Sequence, residues 1–249
     1  MPSSGRDKMK NKVGSHVGII LSFIIFMTFI FFIFIIVAPR VKTDGRGGFL
    51  EALAQNVAEN ASANLTSVSI SASGVGSCFR ISSFFTETGA GGNFVVKNEE
   101  GATVQSSKDG SDLLLVRESS ETLFKFLESE EFSTGNTGTL GSCTALTKNS
   151  GYFLGLMKTE RKIFESNIEE LIIVYENDYN TVKEDLKVSR MEDFSFALEY
   201  DNGTRIFPES ANTSVLQNVN VYSDNFPIIY INKNFETKSG FLGVSLWGR

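Results

Sequence analysis

Histidine is almost missing from this 249-residue chain, and cysteine is scarce. The one histidine is His16, near the N-terminus, and the two cysteines are Cys78 and Cys143. A closed zinc site of the Cys/His type needs four such ligands, and a Ser-His-Asp triad needs a histidine. Counting therefore excludes both kinds of site from the large C-terminal part of the chain.

Positive charge is also scarce beyond the N-terminal region. Residues 1–47 hold seven of the 23 Lys and Arg residues but only two of the 29 Asp and Glu residues. Residues 48–249 therefore carry 16 basic and 27 acidic side chains, a net charge of −11. A domain this acidic repels a phosphate backbone, so we expect no nucleic-acid partner.

A long uncharged run is the strongest signal in the sequence. Val17 to Val37 reads VGIILSFIIFMTFIFFIFIIV, with only Gly18, Ser22 and Thr28 as small or polar interruptions. As a helix this run would rise about 31 Å, which matches a hydrocarbon core of about 30 Å. The sequence therefore predicts a transmembrane helix over 16–38, with the lipid bilayer as a partner.

The charges that flank this run favour a cytoplasmic N-terminus. Four basic side chains precede the run and three follow it, a weak positive-inside bias. No A-x-A-like cleavage site follows the run, so it is expected to stay as an anchor. We expect a basic cytoplasmic leader over 1–15 and a single-pass cell-membrane protein with its C-terminal domain outside.

The two cysteines and four glycosylation sequons bear on that location. An even pair of cysteines in a chain that enters an oxidising compartment favours a Cys78–Cys143 disulfide, and two buried free thiols are the alternative. Candidate N-glycosylation sites begin at Asn60, Asn64, Asn202 and Asn212. The Asn, Ser and Thr content predicts about as many sequons by chance, so these four permit glycosylation without establishing it.

Periodicity divides the remaining chain into a hinge and one α+β domain. Residues 39–62 combine a basic, glycine-containing juxtamembrane stretch with a short helix that ends near Asn60. From Leu65 onward the apolar period changes to two, and later alternating runs are separated by turns such as Asp201-Asn202-Gly203. We expect an extracytoplasmic antiparallel sheet of six to nine strands over 63–249.

Two helices are predicted inside this domain. The first covers Ser120 to Phe132, with apolar side chains spaced three and four apart. The second runs from about Ile163 to Lys187, where apolar residues recur at spacings of three and four: Phe164, Ile168, Leu171, Tyr175, Tyr179, Val182 and Leu186. This is the one long amphipathic helix that we expect on a face of the sheet.

No motif in the sequence carries recognisable catalytic chemistry. Asp109-Gly-Ser-Asp112 lacks the spacing of a calcium loop and is typical of a hairpin turn. The carboxylates of Glu128, Glu130 and Glu131 are interpreted as a solvated acidic face. Gly89-Ala-Gly-Gly lacks the form of a phosphate-binding loop. We therefore expect no enzyme activity and no catalytic, cofactor-binding or metal-binding residues.

The boundary between the basic leader and the apolar run places a small residue at the expected membrane edge. Gly14-Ser15 follows the leader, and the apolar run begins at once. This arrangement resembles the class III signal peptides of archaeal type IV pilins and pilin-like proteins. The resemblance covers about residues 6–37, and it departs from the family pattern at Val13, where a charged residue is usual. It also departs at Ile19, where bacterial relatives carry glutamate.

The resemblance implies specific processing and assembly. A peptidase would cut between Gly14 and Ser15, and the retained apolar helix would serve as both anchor and filament core. A mostly β, often glycosylated head would lie outside. Copies of the chain or other pilin-like subunits would then be partners through the N-terminal helix.

Three functions are therefore carried forward. The first is a pilin-like or minor pilin-like structural subunit. The second is a signal-anchored surface module that binds a ligand or an envelope partner. The third is an anchored hydrolase whose carboxylates converge in space, as in a glycosidase, or hold a metal ion.

Overall fold

The computed structural model describes residues 14–37, 45–73, 76–117, 121–132, 140–210 and 220–248. It divides into two compact units, Met1–Asp44 and Gly45–Arg249. The predicted boundaries at 15/16, 38/39 and 62/63 are not tested by this division. Each unit is described by itself below.

The first unit contains helix α1, Gly14–Val37. Its side chains are described from Gly18 to Ile33, and all of them are exposed. Large Ile and Phe side chains point to every side of this helix, with exposed fractions from 42% at Ile33 to 68% at Phe31.

The transmembrane prediction over 16–38 is wrong. Within the described part of the chain, no helix combines the length and the hydropathy that crossing a bilayer requires. This finding also corrects the single-pass cell-membrane localisation.

The second unit contains α2 and a series of strands and short helices. The first group is α2 Gly45–Asn60, β1 Ser62–Ala72, β2 Cys78–Ile81, α3 Phe84–Thr88, β3 Phe94–Asn98, β4 Thr103–Val104, β5 Ser106–Asp109, β6 Asp112–Val116 and β7 Leu123–Glu128. The second group is β8 Thr144–Leu146, β9 Tyr152–Phe164, α4 Glu165–Asn177, α5 Tyr179–Asp185, β10 Glu192–Tyr200, β11 Arg205–Ile206, β12 Val221–Ile231 and β13 Thr237–Gly248.

These strands form two sheets. The larger sheet has nine strands in the order β11-β10-β13-β12-β9-β1-β7-β3-β4, and the smaller has four in the order β5-β6-β2-β8. Neighbours are antiparallel except at two places, where β12 runs parallel to β9 and β2 runs parallel to β8. The long β1–β9 ladder lies in the middle of the larger sheet.

Two hydrophobic cores lie on the same face of the larger sheet. Tyr230 pairs with Ile163 and Ile163 with Ser62, so their side chains share one face. Along β1 this face continues at every second residue to Val68, which pairs with Phe126. Tyr230 belongs to the core covered by α2, α4 and α5, whereas Val68 and Phe126 belong to the core covered by α3 and the smaller sheet. We call this face the inner face.

A third, smaller core covers part of the opposite face, which we call the outer face. Leu65 and Leu127 are buried there. They pack together with Phe132, Phe164 and Ile231. The sheet is thus covered on both faces near its middle.

The predicted fold class, an antiparallel α+β domain behind a transmembrane helix, is wrong. The fold is mixed, since parallel junctions occur in both sheets. A second sheet, which the sequence analysis did not anticipate, covers part of the first. The predicted long helix is two helices, and the first of them begins only after β9 has ended at Phe164.

Asp178 explains the division between α4 and α5. Its side chain accepts hydrogen bonds from the backbone nitrogen and the hydroxyl of Thr181, at 3.2 and 2.7 Å. This is the geometry of an N-cap, which starts a new helix. The apolar residues on both sides of Asp178, including Tyr175 and Val182, still face the same core.

The predicted helix over Ser120–Phe132 is also wrong, because Leu123–Glu128 forms strand β7. Phe124 and Phe126 are buried on the inner face, and β7 pairs with β1 on one side and with β3 on the other. Two full ladders of backbone hydrogen bonds outweigh a weak local helical pattern.

The predicted disulfide is confirmed. Cys78 and Cys143 are bonded, with their Cα atoms 4.8 Å apart. The bond joins β2 to the residue before β8, so it closes the smaller sheet at its short parallel strand. A disulfide is consistent with an extracellular environment.

A buried ion pair links α5 to β10 beneath the helices. The Lys183 ammonium lies 3.2 Å from Oδ1 of Asp193, and their side chains are 7% and 16% exposed. The Tyr179 hydroxyl donates to the same oxygen at 2.9 Å, and the Tyr175 hydroxyl donates to the carbonyl of Phe194 at 2.6 Å. Burial raises the pKa of Tyr175, so its hydroxyl remains a donor.

We predict that Lys183→Ala lowers the free energy of unfolding by about 3 kcal/mol or more, because it removes the cation beside a nearly buried carboxylate. Lys238→Ala is the matched control, since Lys238 pairs with Glu236 at the exposed surface and should cost less than about 1 kcal/mol. Urea denaturation measures both values. Equal losses in the two variants would contradict the structural role of the Lys183–Asp193 pair.

Candidate functional site

A polar cleft separates the two cores on the inner face. It has a volume of about 410 Å³ and lies over the end of the β1–β9 ladder at which Ser62 and Asn64 begin β1. The polar residues that line it are Ser62, Asn64, Thr66, Glu128, Ser129, Glu130 and Arg161. We call it the central cleft.

The floor of the central cleft is polar because β1 and β9 place polar residues on the inner face between the two cores. Thr66 pairs with Thr159 across the ladder, and their hydroxyl oxygens lie 2.9 Å apart. Two residues farther along β1, at Val68, the inner face becomes apolar and enters the second core. The cleft therefore lies over the polar stretch of the inner face, between the two apolar stretches that enter the cores.

Arg161 forms one wall of the cleft and contacts the C-terminal end of α2. Nη2 of Arg161 donates to the carbonyls of Glu59 and Ser62, at 2.9 and 3.0 Å. The Glu59 carbonyl belongs to the last turn of α2, where carbonyls lack partners within the helix and a cation is favourable. The Ser62 carbonyl belongs to the start of β1. Arg161 thus fastens α2 to the sheet and also brings a positive charge to the cleft.

The opposite wall is built by Glu128 at the end of β7. Its Oε1 accepts hydrogen bonds from the backbone nitrogens of Gly91 and Gly92, at 2.6 and 2.5 Å. A Cβ atom at Gly92 would lie 3.2 Å from that oxygen, so glycine gives the carboxylate its close approach. Successive backbone N–H groups that converge on one anion form a nest. Here the anion is the chain's own glutamate.

The side chains of the cleft can bind a polar ligand but do not form a known catalytic arrangement. They offer hydroxyls, an amide, carboxylates and one guanidinium, which suit a ligand with hydroxyl or amine groups. In the described part of the chain, no group of three or more His, Cys, Asp or Glu could hold a metal ion.

A second polar pocket of about 440 Å³ lies beside Tyr200 and Tyr230. The Tyr200 hydroxyl donates to Oε1 of Glu165 at 2.7 Å, and the backbone nitrogen of Lys233 donates to Oε2 at 3.2 Å. Burial and then the Glu165 carboxylate raise the pKa of Tyr200. Both oxygens of Glu165 thus have donors from the chain itself, which gives this pocket a structural role.

The predicted glycosylation sites lie in different surroundings. Asn60 ends α2, Asn64 lies in the central cleft, and Asn202 lies at the turn between β10 and β11; all three are exposed. Asn202 accepts a hydrogen bond from the backbone nitrogen of Thr204 at 2.9 Å. Asn212 lies outside the described residues.

The predicted cleavage site lies at the start of the apolar helix. Gly14 and Ser15 are the first two residues of α1, and the leader that precedes them lies outside the described residues.

The acidic groups singled out in the sequence are distributed over separate places. Asp109 and Asp112 both bind Arg80, at 2.7 and 3.0 Å, across the β5–β6 turn. The backbone N–H of Ser83 and then Arg80 hold the pKa of Asp112 below its ordinary value. Glu128 is in the central cleft, and sequence analysis missed its role because it placed this residue in a helix. Phe124 and Phe126, two residues apart just before Glu128, have the spacing of a strand and could have predicted β7.

Comparison with protein-family models, with curated proteins and with solved structures finds no match to this chain.

We predict that Glu128→Gln loosens the Gly91–Gly92 loop, because a neutral amide oxygen accepts more weakly than a carboxylate does. The free energy of unfolding should fall by about 1–2 kcal/mol, and the amide hydrogens of Gly91 and Gly92 should exchange faster. Glu130→Gln is the control in the same cleft, since it leaves both bonds in place. Unchanged exchange at these glycines in Glu128→Gln would contradict the assignment.

Proposed function

We propose that this protein is a non-enzymatic structural subunit, similar to type IV pilins, that assembles with copies of itself through α1. The observation that carries the proposal is the exposure of apolar side chains around the whole circumference of α1, from Ile19 to Ile33. The remaining features of the chain are consistent with a head that such a helix would carry.

The exposed surface of α1 is too apolar to remain in water. Burying one large apolar side chain is worth about 1.5–3 kcal/mol, and α1 exposes such side chains at nearly every position between Ile19 and Ile33. A helix that is hydrophobic all round is a buried helix. Assembly must therefore cover it.

Copies of the same helix are the occupants that fit best. A helix that covers a sheet needs only one apolar stripe, as in α4, where Ile168 and Tyr175 are buried. By contrast, α1 has Ile and Phe side chains on all sides, so it can contact several neighbours at once. In a bundle of α1 helices, as in the core of a pilus, the apolar side chains on every side of α1 are buried.

The head is suited to a position outside such a bundle. The Cys78–Cys143 disulfide is consistent with an extracellular environment. Asn60, Asn64 and Asn202 are exposed on the head, so glycans could be attached without disturbing the cores. In this proposal residues 1–14 are removed and the mature chain begins at Ser15.

The central cleft favours a second candidate function, a surface module that binds a polar ligand. Arg161 and Glu128 place opposite charges on its two walls, beside the hydroxyls of the β1–β9 ladder. This function does not require the removal of residues 1–14, so the N-terminus of the mature chain separates the two candidates.

We predict that Phe29→Asp abolishes self-assembly of the full chain, because a carboxylate buried between apolar helices costs several kcal/mol. Phe29→Leu is the matched control, since it keeps the apolar surface and should assemble. After detergent is removed, sedimentation and negative-stain electron microscopy measure assembly, and urea denaturation checks that the head is unchanged. Assembly of Phe29→Asp to the same extent as the control would contradict the proposal.

A further inference from the structure

Most of strand β9 has a neighbour on only one side. β1 pairs with it along almost its whole length, from Tyr152 to Ile163. On the other side, β12 pairs with β9 only at Ile163 and Phe164. Among the strands that the structure describes, none pairs with the outward edge of 153–162. We call this stretch the β9 edge.

The direction of the backbone groups on the β9 edge follows from its two neighbours. The backbone nitrogen of Phe164 donates to Ala61, on the β1 side, and Ile163 pairs with β12 on the other side. In an antiparallel pair the hydrogen-bonding direction alternates from residue to residue. Arg161, Thr159 and Met157 therefore direct their N–H and C=O groups outward.

The β9 edge differs from the other long unpaired edge of this sheet. Among the described strands none pairs with one side of β12 over 223–229, and Pro227 removes one donor there. Proline is one usual protection of an edge strand. The β9 edge has no proline, and it exposes Leu156 at 77% and Met157 at 49%.

We infer that the β9 edge is an interaction surface for a second copy of this chain, whose own β9 pairs with it antiparallel about a two-fold axis at Thr159. The two β9 strands would then pair over 156–162, beside the end at which β12 meets β9. This interface belongs to the head and is separate from the assembly proposed for α1.

The charges on the outer face select this register. With Thr159 opposite the partner's Thr159, the outward groups of Met157 meet those of the partner's Arg161. Lys158 then lies opposite the partner's Glu160, and Glu160 lies opposite the partner's Lys158, so two pairs of opposite charge form. Lys158 and Glu160 already form an ion pair within one chain, which shows that both reach the same face.

The neighbouring two-fold registers fit less well. A two-fold axis at Met157 would place Lys158 opposite the partner's Leu156 and would lose the charge pairs. An axis at Arg161 would require the backbone of Ile163, which already pairs with Tyr230 of β12. An axis at Lys158 or Glu160 would still use the outward groups, but it would place Lys158 opposite the partner's Lys158 or Glu160 opposite the partner's Glu160, and like charges directly opposite are unfavourable.

The test uses the full chain with Phe29→Asp, so that association through α1 does not contribute. In this background Thr159→Cys places a thiol at the proposed two-fold axis, and mild oxidation should give a covalent dimer on a non-reducing gel. Lys125→Cys is the control, because Lys125 is exposed but lies in β7, which is paired on both sides. It should give little dimer.

Charge variants then test the register in the Thr159→Cys chain. Lys158→Glu alone and Glu160→Lys alone should each reduce dimer formation about tenfold, because two pairs of opposite charge become two pairs of like charge. An equal mixture of the two variants should restore the dimer, since one chain then presents two acidic and the other two basic side chains. Misfolding of either variant would not be repaired by mixing.

If Thr159→Cys gives no more covalent dimer than the Lys125→Cys control, the inference is overturned. A mixture that gives no more dimer than the single variants would overturn the register at Thr159. Because Phe29→Asp is present throughout, neither result depends on the function proposed for α1.

Discussion

The antiparallel ladder between β1 and β9 is the interaction on which the rest of the head depends. It pairs residues that are 101 positions apart at one end, Ser62 with Ile163, and 80 apart at the other, Ala72 with Tyr152. On one side it carries β7, β3 and the core under the smaller sheet, and on the other it meets β12 and the core under the helices. Without this ladder the two cores would have no common support.

The same ladder explains the central cleft and the β9 edge. Each core covers only its own part of the inner face, so the residues between them, including Thr66 and Thr159, meet solvent and are polar. Arg161 and Glu128 form the two walls of this polar region. Arg161 binds a carbonyl at the end of α2, and Glu128 binds the Gly91–Gly92 loop. On the other side of β9, β12 pairs with it only at Ile163 and Phe164, and no other described strand pairs with 153–162 there.

Local patterns predicted those parts of the fold whose signals are local. The period of two identified β1, and the Asp201-Asn202-Gly203 turn identified the hairpin of β10 and β11. The even pair of cysteines predicted the disulfide. The end of α2 at Asn60 also follows from its apolar spacing.

The errors arose where a distant contact decides the local structure. Leu123, Phe126 and Leu127 have helical spacing, yet pairing with β1 and β3 makes a strand of them. The apolar spacing from Phe164 to Leu186 continues across Asp178, but the capping side chain of Asp178 divides the helix. The central cleft could not be predicted, because Thr66 meets Glu128 and Thr159 only through long-range pairing. The transmembrane prediction rested on the length and the apolar composition of the run Val17 to Val37.

The central claim of this account is that α1 is an assembly helix released from a short leader. It unites the apolar circumference of α1, the Gly14-Ser15 boundary and the disulfide-bonded head. The most direct measurement is the intact mass and N-terminal sequence of the protein isolated from its native source. The account predicts a chain that begins at Ser15, whereas a mature chain that still carries the leader through Lys12 would contradict it.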